Sequence, residues 1–169
     1  NLIKIKNLNA FQKIKEPAET GKSFSENAKI KSKFGQKIFN MPCFADDSGF
    51  GVEALNNNPG VKSKRFFEKF KSNKEVFDYI ISNVIKKNND KAFFKTAICL
   101  SLNTNHHILF LGKINGRVSL KAKGSNGFGY DPIFIPENHK KTFAEMRSSE
   151  KNKISHRRSA ITKLKSFLF

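Results

Sequence analysis

Two apolar segments separated by a short polar turn place the strongest constraint on the fold of this chain. Residues 92–102 and 107–114 are rich in Phe, Ile and Leu, and Asn103-Thr104-Asn105 lies between them. This pattern predicts two neighbouring antiparallel strands, and Asn115-Gly116 predicts a second turn before residues 117–122. We therefore expect a β-meander in the middle of the chain.

Helical patterns flank this meander on both sides. Ser23-Phe24-Ser25-Glu26 has the hydroxyl and carboxylate spacing of a capping box, so a helix is expected to begin there. Residues 75–87 and 149–169 repeat their apolar side chains with a helical period, whereas the alternation in residues 1–7 predicts a strand. The apolar faces predicted for the first and last helices are Ile30, Phe34 and Ile38, and Ile154, Ile161, Leu164 and Leu168.

Length and charge limit the class of protein. The 169 residues predict a single domain over positions 1–169, large enough to bury its own core. The formal net charge of +18 comes mostly from lysines spread along the chain, which we interpret as a solvated surface rather than a nucleic-acid patch. No apolar run reaches the roughly 20 residues that cross a bilayer. We therefore expect a soluble intracellular protein without a membrane or nucleic-acid partner, with Cys43 and Cys99 as buried free thiols.

An acidic pair follows a short apolar run in Phe44-Ala45-Asp46-Asp47-Ser48-Gly49. We expect a strand to end there and open into an active site, since glycine allows a sharp turn or a close approach to a ligand. Adjacent carboxylates repel each other and need water, a cation or a shared proton, and carboxylate oxygens suit Mg²⁺. From these residues alone, an exposed Asp-Asp turn remains the alternative interpretation.

Two further stretches carry candidate binding residues. Phe128 and Tyr130 lie among glycines in residues 124–134, a pattern that offers flat rings for stacking on a base or sugar. Lys151, His156 and Arg157 fall in the first turns of the last predicted helix, where an anion or an oxo group could bind. The glycine-aromatic stretch could also be a plain turn, and His156 alone could be structural.

Six motifs occur along the chain in the order found in one family. They are Glu19-Thr20-Gly21 with Ser23-Phe24-Ser25-Glu26-Asn27-Ala28, Ala45-Asp46-Asp47-Ser48-Gly49, Ala54-Leu55 with Pro59-Gly60, Gly127-Phe128-Gly129-Tyr130-Asp131-Pro132-Ile133-Phe134, Thr142-Phe143-Ala144-Glu145-Met146, and Glu150-Lys151-Asn152 with Ile154-Ser155-His156-Arg157. With these motifs, nearly the whole chain closely resembles the inosine triphosphate pyrophosphatases, which hydrolyse deaminated purine nucleoside triphosphates.

This resemblance implies a fold, a reaction and a set of site residues. The fold is a two-lobed α/β structure around a long mixed sheet flanked by helices, usually in a homodimer. The reaction is Mg²⁺-dependent hydrolysis of ITP, dITP or XTP to the monophosphate and pyrophosphate. The implied roles are metal binding by Glu19, Asp47 and the neighbouring Asp46, proton acceptance from water by Asp47, and substrate binding by Lys31, Ser48, Phe128, Gly129, Tyr130, Asp131, Lys151, His156 and Arg157.

The chain departs from the family pattern at its beginning. Family members begin with a strand, a triphosphate-binding loop of the Thr/Ser-x-Asn-x-x-Lys type and a helix, and no such motif precedes Glu19. The expected domain thus lacks this segment, either because it lies outside this sequence or because the protein has no triphosphate grip. Two alternative functions follow: a pyrophosphatase for modified pyrimidine nucleotides, like the septum-formation inhibitor relatives, or a nucleotide- or nucleic-acid-binding protein without turnover.

Overall fold

The computed structural model describes residues 3–11 and 14–169, which form a five-stranded sheet flanked by helices. The strand order is β2-β1-β3-β4-β5, and every pairing is antiparallel. The strands are β1 (Cys43–Val52), β2 (Asn58–Gly60), β3 (Lys91–Ser101), β4 (His107–Val118) and β5 (Phe134–Pro136). The helices are α1 (Phe24–Phe39), α2 (Ser63–Phe67), α3 (Asn73–Lys87), α4 (Ser148–Ile154) and α5 (His156–Leu168).

This architecture confirms the α/β class, and it corrects the expected mixed character of the sheet for the described strands. Residues 3–7, which alternation predicted as part of a strand, lie outside the sheet, and residues 1 and 2 lie outside the described residues. The described part of the chain contains no helix long and apolar enough to cross a membrane.

The predicted hairpin is confirmed and is longer than expected. β3 and β4 pair from Lys91 opposite Arg117 to Ser101 opposite His107. The turn predicted at Asn115-Gly116 is wrong, because β4 continues to Val118. Gly116 lies opposite Pro136 of β5 as well as Ala92 of β3, so pairing on both sides keeps these residues extended.

The acidic pair does not end a strand. Asp46 and Asp47 lie inside β1, which pairs with β3 over ten consecutive residues and continues to Val52. Successive side chains of a strand point to opposite faces, so the two carboxylates are separated by the sheet. Since β2 pairs only with Phe50, Gly51 and Val52, the described residues leave β1 with a free edge beside Asp46, Asp47 and Ser48.

Helix α1 covers one face of β1 and β3. Its N-cap is Ser23, whose hydroxyl accepts a hydrogen bond from the Glu26 N–H at 3.2 Å, as the capping pattern predicted. The predicted apolar face is wrong: Ile38 is exposed, and the buried residues are Phe24, Asn27, Ala28 and Ser32. Small and polar side chains on the inner face let the helix lie close to the sheet, and they include a residue of the candidate site.

The predicted last helix is two helices. Ser155 has an extended backbone between α4 and α5, and its hydroxyl accepts a hydrogen bond from the Arg158 N–H at 3.2 Å. Ser155 therefore caps α5 and makes His156 its first residue. A Cβ atom on Gly112 of β4 would lie 1.9 Å from the His156 carbonyl oxygen, so only glycine allows α5 to begin this close to the sheet.

The main core lies between the sheet and α3. Its centre is aromatic, with Phe50 and Phe134 fully buried and the Phe50 ring 4.7 Å from the stacked ring of Tyr130. Smaller apolar clusters lie beneath α1 and α5. The strands that carry the candidate site are thus fixed from both faces of the sheet.

Candidate active site

A lysine joins two carboxylates on the α1 face of the sheet. The Lys31 ammonium of α1 donates to Glu19 Oε1 at 2.8 Å and to Asp47 Oδ1 at 3.4 Å. Glu19 comes from the loop before α1, and Asp47 comes from β1. The structure therefore brings together three predicted site residues that lie far apart in the sequence.

Asn27 completes this cluster, although the sequence interpretation gave it no role. Its side-chain amide donates to Asp47 Oδ2 at 3.1 Å, and its carbonyl oxygen accepts the Gly21 N–H at 2.8 Å. The side chain is fully buried, so both bonds are shielded from water. Asn27 thus fixes the orientation of the Asp47 carboxylate and holds the loop that carries Glu19.

Burial and charge oppose each other in this cluster. Burial raises the pKa of Asp47 above its ordinary value, and it outweighs the lowering by the Lys31 charge and the Asn27 hydrogen bond. Burial lowers the pKa of Lys31, but the hydrogen bond to Glu19 and the charges of both carboxylates raise it further, so the net change is upward. Asp47 is consequently a more basic carboxylate than an exposed aspartate, beside a firmly protonated ammonium.

The opposite face of β1 carries a separate ion pair. Arg157 of α5 donates to Asp46 Oδ2 from Nη2 at 3.0 Å and from Nε at 3.4 Å. Ser48 donates to the same Asp46 oxygen at 3.0 Å, and its hydroxyl lies 2.7 Å from that of Thr96. Asp46 therefore positions Arg157 and Ser48 and does not lie beside Asp47, contrary to the interpretation of both as neighbouring metal ligands.

A cavity of about 650 Å³ opens on this second face. Its volume lies within the range of about 300–1,000 Å³ that is typical of small-molecule sites. Its walls contain the predicted binding residues Ser48, Phe128, Gly129, Tyr130, Asp131, Lys151, His156 and Arg157. Ser48 of this cavity wall directly follows Asp47 of the Lys31 cluster in β1.

The two aromatic residues of the glycine-rich loop have different environments. Phe128 is 71% exposed, with the Lys151 ammonium 4.9 Å from its ring centre, and is free to stack on a ligand. Tyr130 is buried, and its hydroxyl donates to the Ser63 carbonyl oxygen at 2.8 Å. Tyr130 therefore forms part of the core as well as the cavity wall, and is not presented for stacking as expected.

Asp131 and Lys151 form a buried ion pair at the cavity wall. Lys151 Nζ donates to Asp131 Oδ2, and the same carboxylate oxygen accepts the Phe128 N–H at 2.9 Å. The Asp131 side chain is nearly inaccessible, which makes this pair costly to break. It fixes the loop that carries Phe128 against α4.

His156 is buried in the cavity wall, and its Nδ1 has no hydrogen-bond partner among the residues that the structure describes. Its ring stacks on Phe94, with ring centres 4.9 Å apart and an angle of 10° between the planes. Burial, followed by the charges of Arg157 and Lys151, lowers the pKa of His156 to about 3. The imidazole is therefore neutral at physiological pH and offers one donor and one acceptor.

The donor set on the α1 face fits a divalent cation with incomplete protein coordination. Within residues 3–11 and 14–169, no three His, Cys, Asp or Glu side chains are grouped to hold a metal. Glu19 and Asp47, however, already share one cation, the Lys31 ammonium. Mg²⁺ is commonly bound by one or two carboxylates, with water and substrate phosphates completing its shell. Two residues of the expected metal set meet this requirement, and Asp46 does not join them.

A second residue that the sequence interpretation missed supports the Glu19 loop. Arg65 of α2 donates from Nη2 to the Glu19 carbonyl oxygen at 2.9 Å. This contact spans a long stretch of sequence, and no local pattern around Arg65 indicates it. Asn27, by contrast, lies directly after the capping motif, where the position of Glu26 had already fixed the helix phase.

Fold and site together define an α/β protein with a small-molecule cavity connected to a carboxylate and lysine cluster. The chain belongs to the Ham1 family, whose model matches residues 1–167. It is 42% identical over 151 residues to a dITP/XTP pyrophosphatase of Porphyromonas gingivalis, covering 89% of this chain and 77% of that protein. It is 38% identical to the enzyme of the same name from Flavobacterium psychrophilum, covering 98% of this chain and 86% of the relative.

Solved structures agree with this assignment. The Ham1 protein of Staphylococcus aureus superimposes with a TM-score of 0.83 at 38% identity, over 89% of this chain and 79% of that chain. A HAM1 protein from Coxiella burnetii gives a TM-score of 0.85 at 37% identity, over 91% and 80%. The family resemblance stated from the sequence motifs is confirmed.

Proposed function

We propose that this chain is a Mg²⁺-dependent pyrophosphatase that converts dITP, XTP and ITP to the monophosphate and pyrophosphate. The names of its relatives support the reaction and the base class. The observation that carries the proposal is the placement of two adjacent residues of β1: Asp47 joins Lys31 on one face of the sheet, and Asp46 joins Arg157 of the cavity wall on the other. A nucleoside in the cavity could extend its triphosphate around the edge of β1.

Each side of the edge has a defined role in the proposed reaction. Glu19 and Asp47 would hold Mg²⁺, which when bound neutralises phosphate charge and orients the leaving pyrophosphate. Asp47, whose orientation Asn27 fixes, would accept the proton of the attacking water. The Lys31 ammonium would donate to the phosphate oxygens, adding positive charge where negative charge develops.

Base selection in this proposal takes place in the cavity on the α5 side of β1. Arg157 retains guanidinium N–H donors beyond those directed at Asp46, and a donor there matches the 6-oxo group of hypoxanthine or xanthine. The amino group of adenine would leave such a donor unpaired, which is a strong basis for rejection. Phe128 would stack on the base, and neutral His156 would offer its unpaired nitrogen to the base edge. Modified pyrimidine nucleotides and binding without turnover are not favoured.

The experiment that tests the proposal is pyrophosphate release from ITP, dITP, XTP, GTP and ATP, with Mg²⁺ and with EDTA. We expect Mg²⁺-dependent release from the first three and little from ATP, with loss of activity in Asp47→Asn. The matched control is Asp78→Asn, the same change at an exposed ion pair of α3, which should leave the rate unchanged. Equal release from ATP, or full activity of Asp47→Asn, would contradict the proposal.

Cytoplasmic location and assembly as a homodimer are part of the same proposal. Both come from the family resemblance. Light scattering after size exclusion tests the assembly directly, and a monomer with full activity would remove the dimer from the proposal without affecting the reaction.

A further inference from the structure

A basic face lies on the hairpin of β3 and β4, beyond the part of the sheet that α1 covers. Lys91 lies directly opposite Arg117, and Lys95 lies directly opposite Lys113. Directly opposite residues of an antiparallel pair point to the same side, so four cations share one face. Phe93 and Asn115 form the pair between them.

The folding of the chain does not account for this arrangement. Like charges directly opposite each other destabilise a sheet. Among the described residues, none of the four cations forms an ion pair with a carboxylate. Every other residue of this face on the two strands is neutral or basic; the remaining members are Ala97, Cys99, Ser101, His107, Leu109 and Leu111. An anionic partner would convert the repulsion into binding.

A flat aromatic ring lies at the centre of the basic face. Phe93 packs across Gly51 of β1, where an added Cβ atom would lie 2.3 Å from the ring, so the glycine is required to seat it. The Lys113 ammonium lies 4.8 Å from the ring centre. If a phosphate attracted the Lys113 ammonium away from the Phe93 ring, the ring would be free to stack on a base. Proteins that bind single-stranded nucleic acids combine positive charge and aromatic stacking in this way.

The basic face ends where α1 begins to cover the hairpin. Toward the turn, the same side carries the buried Ala97 and Cys99 on β3 and the apolar Leu109 and Leu111 on β4. The four steps from Lys113 to Arg117 span roughly 14 Å. Four cations spread over this length can contact more than one phosphate of a nucleic-acid strand.

We propose that this face of the β3–β4 hairpin binds single-stranded RNA. A second copy of the chain is disfavoured as the occupant, because it would bring like charge to like charge. Single strands are favoured over duplexes because stacking on Phe93 requires an unpaired base. Asn115, opposite Phe93 and exposed, offers both a donor and an acceptor, which matches the ribose 2′-hydroxyl.

The test is the fluorescence anisotropy of labelled oligouridylate with the full chain, titrated between about 50 and 200 mM salt. Lys113→Gln/Arg117→Gln should weaken binding roughly tenfold or more and reduce the slope of log K against log salt by about 1.4, at roughly 0.7 for each lost contact. The charge-matched control is Lys69→Gln/Lys71→Gln, two exposed lysines before α3, which should preserve both values.

A second variant separates stacking from general attraction to a basic protein. Phe93→Leu keeps the charge and an apolar side chain on Gly51, and should weaken binding roughly 5- to 150-fold with an unchanged salt slope. Pyrophosphate release by all three variants should equal that of the parent chain, which shows that they are folded and that the substituted residues are not needed for the reaction.

Four results would overturn the proposal. They are equal losses in the two double variants, no loss in Phe93→Leu, DNA of the same sequence or duplex RNA binding as tightly as oligouridylate, and a changed oligomeric state in Lys113→Gln/Arg117→Gln. The last result would identify the face as an interface between copies of this chain.

Discussion

The adjacent carboxylates Asp47 and Asp46 lie on opposite faces of β1 and have different environments. On the α1 face the Asp47 side chain is only 8% exposed, and it contacts an ammonium and a buried amide. On the α5 face the Asp46 side chain is 43% exposed and is held by a guanidinium and a hydroxyl. Burial raises the pKa of Asp47, whereas Asp46 and its partner Arg157 are both partly exposed to solvent.

In the proposed function, this difference separates proton transfer by Asp47 from positioning by Asp46. A buried carboxylate whose orientation is fixed by hydrogen bonds is suited to orienting a water and accepting its proton. A half-exposed carboxylate bound to arginine is suited to orienting that arginine. We therefore place proton transfer on the α1 face and base recognition on the α5 face.

The largest expected effect compares the two aspartates directly. Asp47→Asn removes the proposed proton acceptor and should lower kcat by roughly 10²–10⁴-fold. Asp46→Asn leaves that group intact and should mainly raise KM for ITP, roughly tenfold, since Arg157 loses a charged hydrogen-bond partner. Steady-state kinetics of both variants with Mg²⁺ measures the difference. Similar losses of kcat in the two variants would contradict the division between the faces.

The next effect concerns Arg157. Arg157→Lys keeps the charge but loses the planar set of donors that reaches Asp46 and Ser48. The variant should lower kcat/KM for ITP roughly 10- to 100-fold while ATP remains a poor substrate, which reduces the preference for the 6-oxo base. Arg147→Lys, an exposed arginine before α4, is the control and should retain the preference.

The third prediction concerns the contribution of Asn27 to stability. Asn27→Ala leaves an Asp47 oxygen and the Gly21 N–H without their partners, and should lower the free energy of unfolding by about 1–3 kcal/mol. Urea unfolding measures this loss, together with reduced pyrophosphate release. Asn83→Ala removes an exposed side-chain hydrogen bond on α3, and its free energy of unfolding should stay within about 0.5 kcal/mol of the parent value. Equal stabilities of the two variants would remove Asn27 from the support of the site.

The last prediction concerns pH and His156. Its pKa is about 3 in the folded chain and near 6.5 when unfolded, so the unfolded state binds the extra proton between these values. Stability should therefore fall as the pH falls through this window, with a contribution of at most about 1.4 kcal/mol per pH unit. His156→Phe preserves stacking on Phe94 and should show a shallower decline in urea midpoints between pH 6.5 and 4. An identical decline would show that other groups cause it.

Much of the fold was predictable because local interactions specify it. The capping serine of α1, the period of α3 and the turn between β3 and β4 were predicted from neighbouring residues and were confirmed. The predictions were wrong where contacts with segments distant in the sequence determine the local structure. β1 passes through its acidic pair because β3 pairs with it, and β4 passes through Asn115-Gly116 because β5 does. The buried face of α1 is polar at Asn27 because the Asp47 carboxylate lies opposite it.

The order of the sequence motifs by itself determined the family and predicted the site residues, since residue types and their spacing are properties of the chain. Only the tertiary structure decided how these residues are grouped. The alternation of a strand places Asp46 with Arg157 and Asp47 with Lys31, on opposite faces of one sheet.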